Sequence, residues 1–284
     1  MMEPDSSLPY ADHEERRCVF WSVYDLDKLC SCGRGRPAAL ADIHCQVQLP
    51  RDEESFRSGK EKKTLTLKQA FSIVKLSVDR PNQLGLVVLA ASVIGRCAQY
   101  SIHECTKGEG HLAPWDSQSE FATLYSLLLQ LETWFELGGR IGEALRRDSM
   151  EDGRIDMQLA GPVIFSHALF HTCQCILHHP FLLYQLCKTS ALRAPQSFTT
   201  RALHTCRESA YAISQLLQDP KEADCVSFFS FIGFCMTVTC SVHVLYLNDG
   251  NDLLQQEAQE YLQSDMLFME EFCRYWKHGL PMVS

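Results

Sequence analysis

Apolar residues recur along this chain at steps of three and four, the spacing of one face of an α-helix, and nowhere alternate strictly enough to mark a strand or hairpin. The first such segment runs from about Asp12 to Leu29, with Asp12 and Glu15 forming a helix-start pair. Val19, Phe20, Trp21, Val23, Tyr24, Leu26 and Leu29 occupy more than one of its faces, which predicts a helix buried most of the way round. Gly33, Gly35 and Pro37 end it in a loop, and an irregular stretch follows to Pro50. The run 51–63 is charged and aperiodic, which predicts an exposed loop.

Residues 65–103 read as mostly helical, with Pro81 dividing two helices. Ser117 and Glu120 form a capping-box pattern ahead of Phe121, Leu124, Tyr125, Leu128, Leu131 and Phe135, which share one helical face. The polar stretch 146–158 predicts a second exposed loop. Gly161-Pro162 opens the next helix, which runs to about His179, and Pro180 kinks it or begins another. Leu203, Cys206, Ala210, Ile213 and Leu217 mark a further helix that Pro220 stops. An apolar run, Cys225–Leu247, and an amphipathic helix, Leu253–Trp276, complete the chain. The expected fold class is all-α, one large helical domain over 1–284 with exposed loops near 51–63 and 146–158.

Composition narrows the function. A length of 284 residues suits one large domain or two small ones, and 46% hydrophobic residues is ordinary for a globular protein. The formal charge of −9 argues against tight binding to a phosphate backbone, where affinity comes from Lys and Arg. The start, Met1-Met2-Glu3-Pro4-Asp5, lacks the basic and apolar regions of a secretory leader. The fourteen cysteines, scattered through apolar runs, therefore read as reduced, buried thiols.

Candidate chemistry is thin. A structural zinc site wants closely spaced thiolate pairs, and no C-x-x-C occurs. The nearest approaches are Cys30-Ser31-Cys32 and Cys173-Gln174-Cys175, and helical neighbours two apart point in different directions. His167, His171 and His178 share a helical face, but Ala168 stands where an H-E-x-x-H pair would carry its Glu. A packed histidine face is favoured over a metal site. Ser72-Ile73-Val74-Lys75 matches S-x-x-K without its companion motifs, and no convincing nucleophile–base pair is present. Arg34-Gly35-Arg36-Pro37 has the composition of a minor-groove hook but no basic flanks, which favours a structural loop. Cys225–Leu247 is long enough to span a bilayer and carries no Asp, Glu, Lys or Arg. Its Ser, Thr and His residues and the absence of a basic flank favour a buried helix.

Several segments resemble one family. Arg16-Arg17-Cys18-Val19-Phe20-Trp21 through Asp27-Lys28 leads into Gly35-Arg36-Pro37, then Ala41-Asp42-Ile43 and Val47-Gln48-Leu49-Pro50. This is similar to the R-R-x-F-W helix, G-R-P loop and D-I…P exit of the regulatory (middle homology) domain of fungal zinc-cluster transcription factors. Pro114-Trp115-Asp116 with Ser119-Glu120-Phe121, and His171 with His178-His179-Pro180-Phe181-Leu182, resemble later segments of that domain, with His179 in place of the usual Arg.

The resemblance implies structural roles for Arg17, Phe20, Trp21, Asp27, Gly35, Arg36, Pro37, Asp42, Pro50, Trp115, His171 and Pro180. It implies a nuclear transcriptional regulator of fungal metabolic or secondary-metabolite genes, not an enzyme. Its partners would be proteins of the transcription machinery or a related zinc-cluster factor, with homo-oligomers as a further option and no membrane. The family's upstream zinc cluster is expected to be missing, and the early part of the regulatory domain with it. No cofactor is then expected, and DNA would be reached only indirectly or through an N-terminal region. The residues themselves lead to two expectations. The charges of Arg17 and Asp27 should be paired, and Arg36 should cap carbonyls or pair with Asp42. The alternatives are a single-span membrane protein through Cys225–Leu247 and a histidine-metal enzyme.

Overall fold

A computed structural model describes residues 9–33, 36–52, 55–56, 58–59, 63–72, 80–104, 112–135, 145, 149–151, 154–189, 193–222 and 229–279. The helices are α1 (Tyr10–Cys30), α2 (Leu67–Ala70), α3 (Gln83–Glu104), α4 (Glu120–Phe135), α5 (Met157–Leu177), α6 (Pro180–Thr189), α7 (Gln196–Glu222), α8 (Ile232–Tyr246) and α9 (Asp252–Tyr275). Short 3₁₀ turns occupy Asp42–His44 and Lys277–Gly279. The fold is all-α, as the periodicity predicts. Among the described residues, the ladder consists of a hairpin of β1 (Met150–Glu151) and β2 (Arg154–Ile155), with Met150 opposite Ile155, and one isolated bridge from Gln48 to Thr66.

Helix α5 forms the axis of the body and packs against α3, α4, α7 and α8. Helix α3 covers it and carries α1 on another face. Leu86, Leu89, Ala90, Val93, Ile94 and Cys97 of α3 are fully buried, as are Ala168, Leu169, Cys173, Cys175 and Leu177 of α5. Gln83–His103 and Gln158–Lys188 are long and apolar enough to cross a membrane, and most of each is buried inside the protein. The Cys225–Leu247 run contains α8, whose fifteen residues fall short of the roughly twenty a bilayer requires; residues 225–228 lie outside the described residues.

Several boundaries differ from the sequence expectation. The Asp156 carboxylate accepts the Gln158 N–H at 2.8 Å and starts α5 ahead of Gly161-Pro162. Pro162 therefore sits inside the helix, where it forfeits one ladder bond. The buried neighbours Ala160, Val163 and Ile164 hold the turn by packing. The stretch 146–158, expected as a loop, thus contains the two paired strands and the first two residues of α5. Pro220 does not stop α7, which continues to Glu222. The cap of α4 is Ser119, whose Oγ accepts the Ala122 N–H at 3.0 Å, rather than Ser117. The α7 stripe is buried at Cys206, Ala210, Ile213 and Leu217, but Leu203 is exposed and Ala202 takes its place in the core.

The largest correction concerns α1. It is not buried most of the way round: Val19, Val23 and Leu26 are 64%, 54% and 63% exposed, whereas Glu14 and Lys28 are 2% and 6% exposed. The buried residues Glu14, Trp21, Tyr24 and Lys28 lie along one face. Period alone cannot choose between two apolar faces, and here the polar residues of the inner face have partners waiting for them.

Candidate functional site

Those partners lie on the chain that follows α1. It doubles back and runs antiparallel to the helix as a strap. Asp27 accepts the backbone N–H groups of Ala39 and Leu40 at 3.0 and 2.9 Å. One turn earlier, the Tyr24 hydroxyl donates to Asp42 at 2.6 Å. The Trp21 indole donates to the Gln48 carbonyl at 2.7 Å, and Glu14 accepts the Arg51 N–H at 2.9 Å. Each step back along the helix meets a step forward along the strap. Buried backbone groups must find partners, and here side chains supply them where no helix or sheet does.

Arg17 pairs with Glu14 at 2.9 Å, and Phe20 meets Trp21 edge-on at 5.0 Å between centroids. Pro50 is buried at the strap's end. Arg51, expected to open an exposed loop, is instead buried, with its guanidinium 4.3 Å over the Tyr10 ring. The Arg51 carbonyl accepts from Asn82 Nδ2, while Asn82 Oδ1 caps α3 by accepting the Gly85 N–H at 2.8 Å. A Cβ at Gly85 would sit 3.1 Å from that cap oxygen and 3.2 Å from Pro81 Cβ, so a larger residue would have to push the cap or Pro81 aside.

Asp42 is the electrostatic centre of this region. Its Oδ1 accepts from Tyr24 and lies 2.8 Å from Lys28 Nζ. Its Oδ2 accepts from Ser92 Oγ at 2.7 Å and from the Arg96 guanidinium, with Nε at 2.8 Å. Lys28 Nζ also donates to the Leu40 carbonyl at 2.6 Å. Burial alone would raise the Asp42 pKa, but Lys28, Tyr24, Arg96 and Ser92 outweigh it and hold the carboxyl at about 2. Burial, followed by the Asp42 charge, pushes the Tyr24 hydroxyl above its ordinary range, so it remains a donor.

The guanidinium on Asp42 therefore belongs to Arg96. Arg36, expected to pair there, is exposed, as is Pro37. Gly35 and Arg34 lie outside the described residues. Neither Arg96 nor Ser92 stands out in the sequence. The available signal is one arginine within the otherwise apolar run Leu84–Ala98, with a serine four residues before it on the same helical face. Asp25, on α1, has an Oδ1 buried without a hydrogen-bond partner, and burial pushes its carboxyl up to about 8.

A second buried polar cluster joins α7, α8 and α9. Ser214 Oγ lies 3.0 Å from His243 Nε2 and donates to Asp265 Oδ2 at 2.9 Å, and His243 Nε2 is 3.4 Å from the same carboxylate. These are the residue types of a hydrolytic triad, but the geometry differs from one. In a triad the acid and the serine occupy opposite ring nitrogens; here both meet Nε2, and Nδ1 has no partner. His243 is fully buried and lies stacked against Tyr211 and Tyr261 at 5.5 and 5.7 Å, so no substrate reaches Ser214 through its face. The sequence signal was a lone histidine in the charge-free run Cys225–Leu247.

The three histidines of the α5 region take separate surroundings. His167 packs edge-on against Phe135 at 4.9 Å. His171 Nδ1 is buried without a hydrogen-bond partner, and burial pulls its pKa down to about 4. His178 places Nδ1 3.0 Å from the Gln174 carbonyl; burial outweighs that bond and holds the ring near 4. Pro180 begins α6. Cysteines two apart point apart as expected. Cys173 meets Cys97 of α3, whereas Cys175 and Cys206 of α7 each donate to the other's carbonyl at 3.6 and 3.7 Å. Burial raises the Cys173 pKa, and the Cys206 thiol followed by burial raises that of Cys175, so both remain thiols and poor ligands. Among the described residues no group of three or more His, Cys, Asp or Glu is placed to hold a metal, so these residues do not fit a zinc cluster.

A cavity of about 350 Å³ opens where the Pro114–Trp115 turn, α4 and the first turns of α7 meet. Trp115 packs edge-on against Phe198 at 5.5 Å, Phe121 does the same at 5.5 Å, and Tyr125 meets His178 at 5.5 Å.

The fold and its clusters define an all-helical body whose buried polar groups hold segments of chain together. Comparison with known proteins shows what part of that body is similar to. Residues 2–136 match the model of the fungal specific transcription factor domain. Its relatives include three proteins of Fusarium oxysporum f. sp. lycopersici. The Zn(2)-C6 fungal-type transcription factor FTF1c is 22% identical over 95% of this chain and 29% of its own length. FTF2, of the same description, is 22% identical over 96% and 25%, and FTF1a is 21% identical over 95% and 25%. The chain thus spans between a quarter and three-tenths of these relatives. No solved structure matches.

Proposed function

We propose that this chain regulates transcription through a helical domain extending over all 284 residues, and that it does so by contacting other proteins. One observation carries the reading: the match to the fungal transcription factor domain spans the α1–strap unit and α3, which the Asp42 cluster ties together, and α4 beyond them. One continuous core from Trp21 to Phe272 supports a single domain. The net charge of −9 supports DNA contact by way of a partner or another region rather than by this body. A nuclear location and control of metabolic or secondary-metabolite genes belong to the same proposal. The partners would be the transcription machinery, a related zinc-cluster factor or a second copy. Val19, Val23 and Leu26, exposed on one side of α1, supply apolar surface for such contacts.

The test fuses the whole chain to an unrelated DNA-binding domain and tethers it upstream of a reporter in a fungal host. The expected outcome is reporter output that differs from the tether alone. Output equal to the tether, from a fusion present at normal level in the nucleus, overturns the proposal.

A further inference from the structure

The cavity beside Trp115 takes no part in either polar cluster, and its lining is selective. Trp115, Phe121, Tyr125 and Phe198 wall it with rings set steeply to one another, 63° for Trp115–Phe198 and 65° for Phe121–Phe198. Such walls offer both faces and edges to a flat guest. At about 350 Å³ the space lies at the small end of ligand pockets, which suits one small molecule. Arg201 is the sole cation among the lining residues, no acidic residue joins it there, and no described carboxylate pairs with it. A guanidinium beside aromatic walls, with no described carboxylate on it, favours a carboxylate guest, which it can take in a two-point grip.

We propose that this cavity binds a small planar aromatic carboxylic acid, with its ring among Trp115, Phe121 and Phe198 and its carboxylate on Arg201. His178 adds a second polar point. Its Nδ1 is committed to the Gln174 carbonyl, and the neutral ring leaves Nε2 as an acceptor for an N–H or O–H on the guest. Binding would make the regulation proposed above responsive to such an acid. That consequence rests on the regulatory reading, whereas occupancy of the cavity does not.

Calorimetric titration of the purified chain with 2-naphthoate, and with 2-naphthamide as its uncharged counterpart, tests the site. The expected result is one naphthoate site, with the amide weaker by about tenfold or more. Arg201→Gln, at an exposed position, should bring naphthoate down to the affinity of the amide and leave the amide unchanged. Thr205→Trp, which fills the cavity, should remove both. Each variant is first shown to unfold cooperatively at the parent's temperature, and Ala122→Phe serves as the filling variant if Thr205→Trp does not fold. Acid and amide binding equally, naphthoate binding untouched by Arg201→Gln, or no binding to a cooperatively folded parent each overturn the proposal. The titration reads occupancy alone, so its failure is distinct from a failure of the tethered reporter.

Discussion

The Asp42 cluster, largely buried, and the Ser214–His243–Asp265 cluster, fully buried, both join elements distant in sequence, but they are built in opposite ways. Asp42 is a single anion surrounded by donors from α1 and α3, two of them cationic. The other cluster gathers a hydroxyl and a carboxylate around one imidazole nitrogen, between stacked tyrosines, and leaves Nδ1 without a partner. In the first, the centre neutralises charges that stay behind if it is removed. In the second, every member can in principle be replaced by an apolar group of similar shape. A buried anion that balances two cations is hard to replace, whereas a small self-contained polar set is not.

The largest effect should follow from breaking the first cluster at its centre. Asp42→Ala strands Lys28, which is almost fully buried, and should lower the unfolding free energy by about 3–5 kcal/mol in urea titrations at pH 7. The pH dependence sharpens the point. The folded carboxyl titrates near 2 against an ordinary 3.8. A depressed carboxyl stabilises fully above its unfolded pKa and loses that stability as pH falls through its folded value. Parent and Asp42→Asn should therefore differ most above pH 4 and converge toward pH 2. A difference that stays constant from pH 7 to 2 would show that the ionised carboxylate is not what holds the strap.

The second cluster should behave otherwise. Asp265→Ala alone removes the buried carboxylate that accepts from Ser214 and lies beside His243, and should cost about 1–3 kcal/mol. The triple change Ser214→Ala, His243→Phe, Asp265→Leu removes all three polar groups and keeps a ring between Tyr211 and Tyr261. It should cost no more than the single change, because no unsatisfied group remains. Thermal unfolding of the four variants in the cycle measures this. A triple variant less stable than the sum of its singles would place the two clusters in the same category.

What the sequence disclosed of these clusters follows from the reach of each signal. The α4 stripe from Phe121 to Phe135 and the helix α9, Asp252–Tyr275, are local periodic features and could be read directly. Trp21, Asp27 and Asp42 could be placed through a motif whose parts lie within about thirty residues. Arg96 lies 54 residues from Asp42, and His243 and Asp265 lie 29 and 51 from Ser214. Periodicity says nothing about which helix faces which, so these pairings were illegible. The orientation of α1 was hidden for the same reason: Val19 and Val23 look no less suited to a core than Trp21 until the strap claims the opposite face. Pro162 misled because packing by its buried neighbours carries the helix past a missing N–H.

The smallest effect separates the two arginines that sequence and structure offer as partners of Asp42. Arg36 belongs to the Gly35-Arg36-Pro37 turn and would be the sequence's choice, yet it is exposed, and the carboxylate's acceptor positions are occupied by Tyr24, Lys28, Ser92 and Arg96. Removing an exposed side chain with no such role should change stability by less than about 0.5 kcal/mol. Arg36→Ala should therefore melt with the parent, while Arg96→Ala removes two hydrogen bonds to a buried anion and should cost about 1.5–3 kcal/mol. Arg96 is itself partly exposed, so its loss should stay below that of Asp42, which keeps the order Asp42, Arg96, Arg36. An Arg36→Ala variant that loses as much as Arg96→Ala would return the pairing to the turn after α1 and remove α3 from the strap's anchorage.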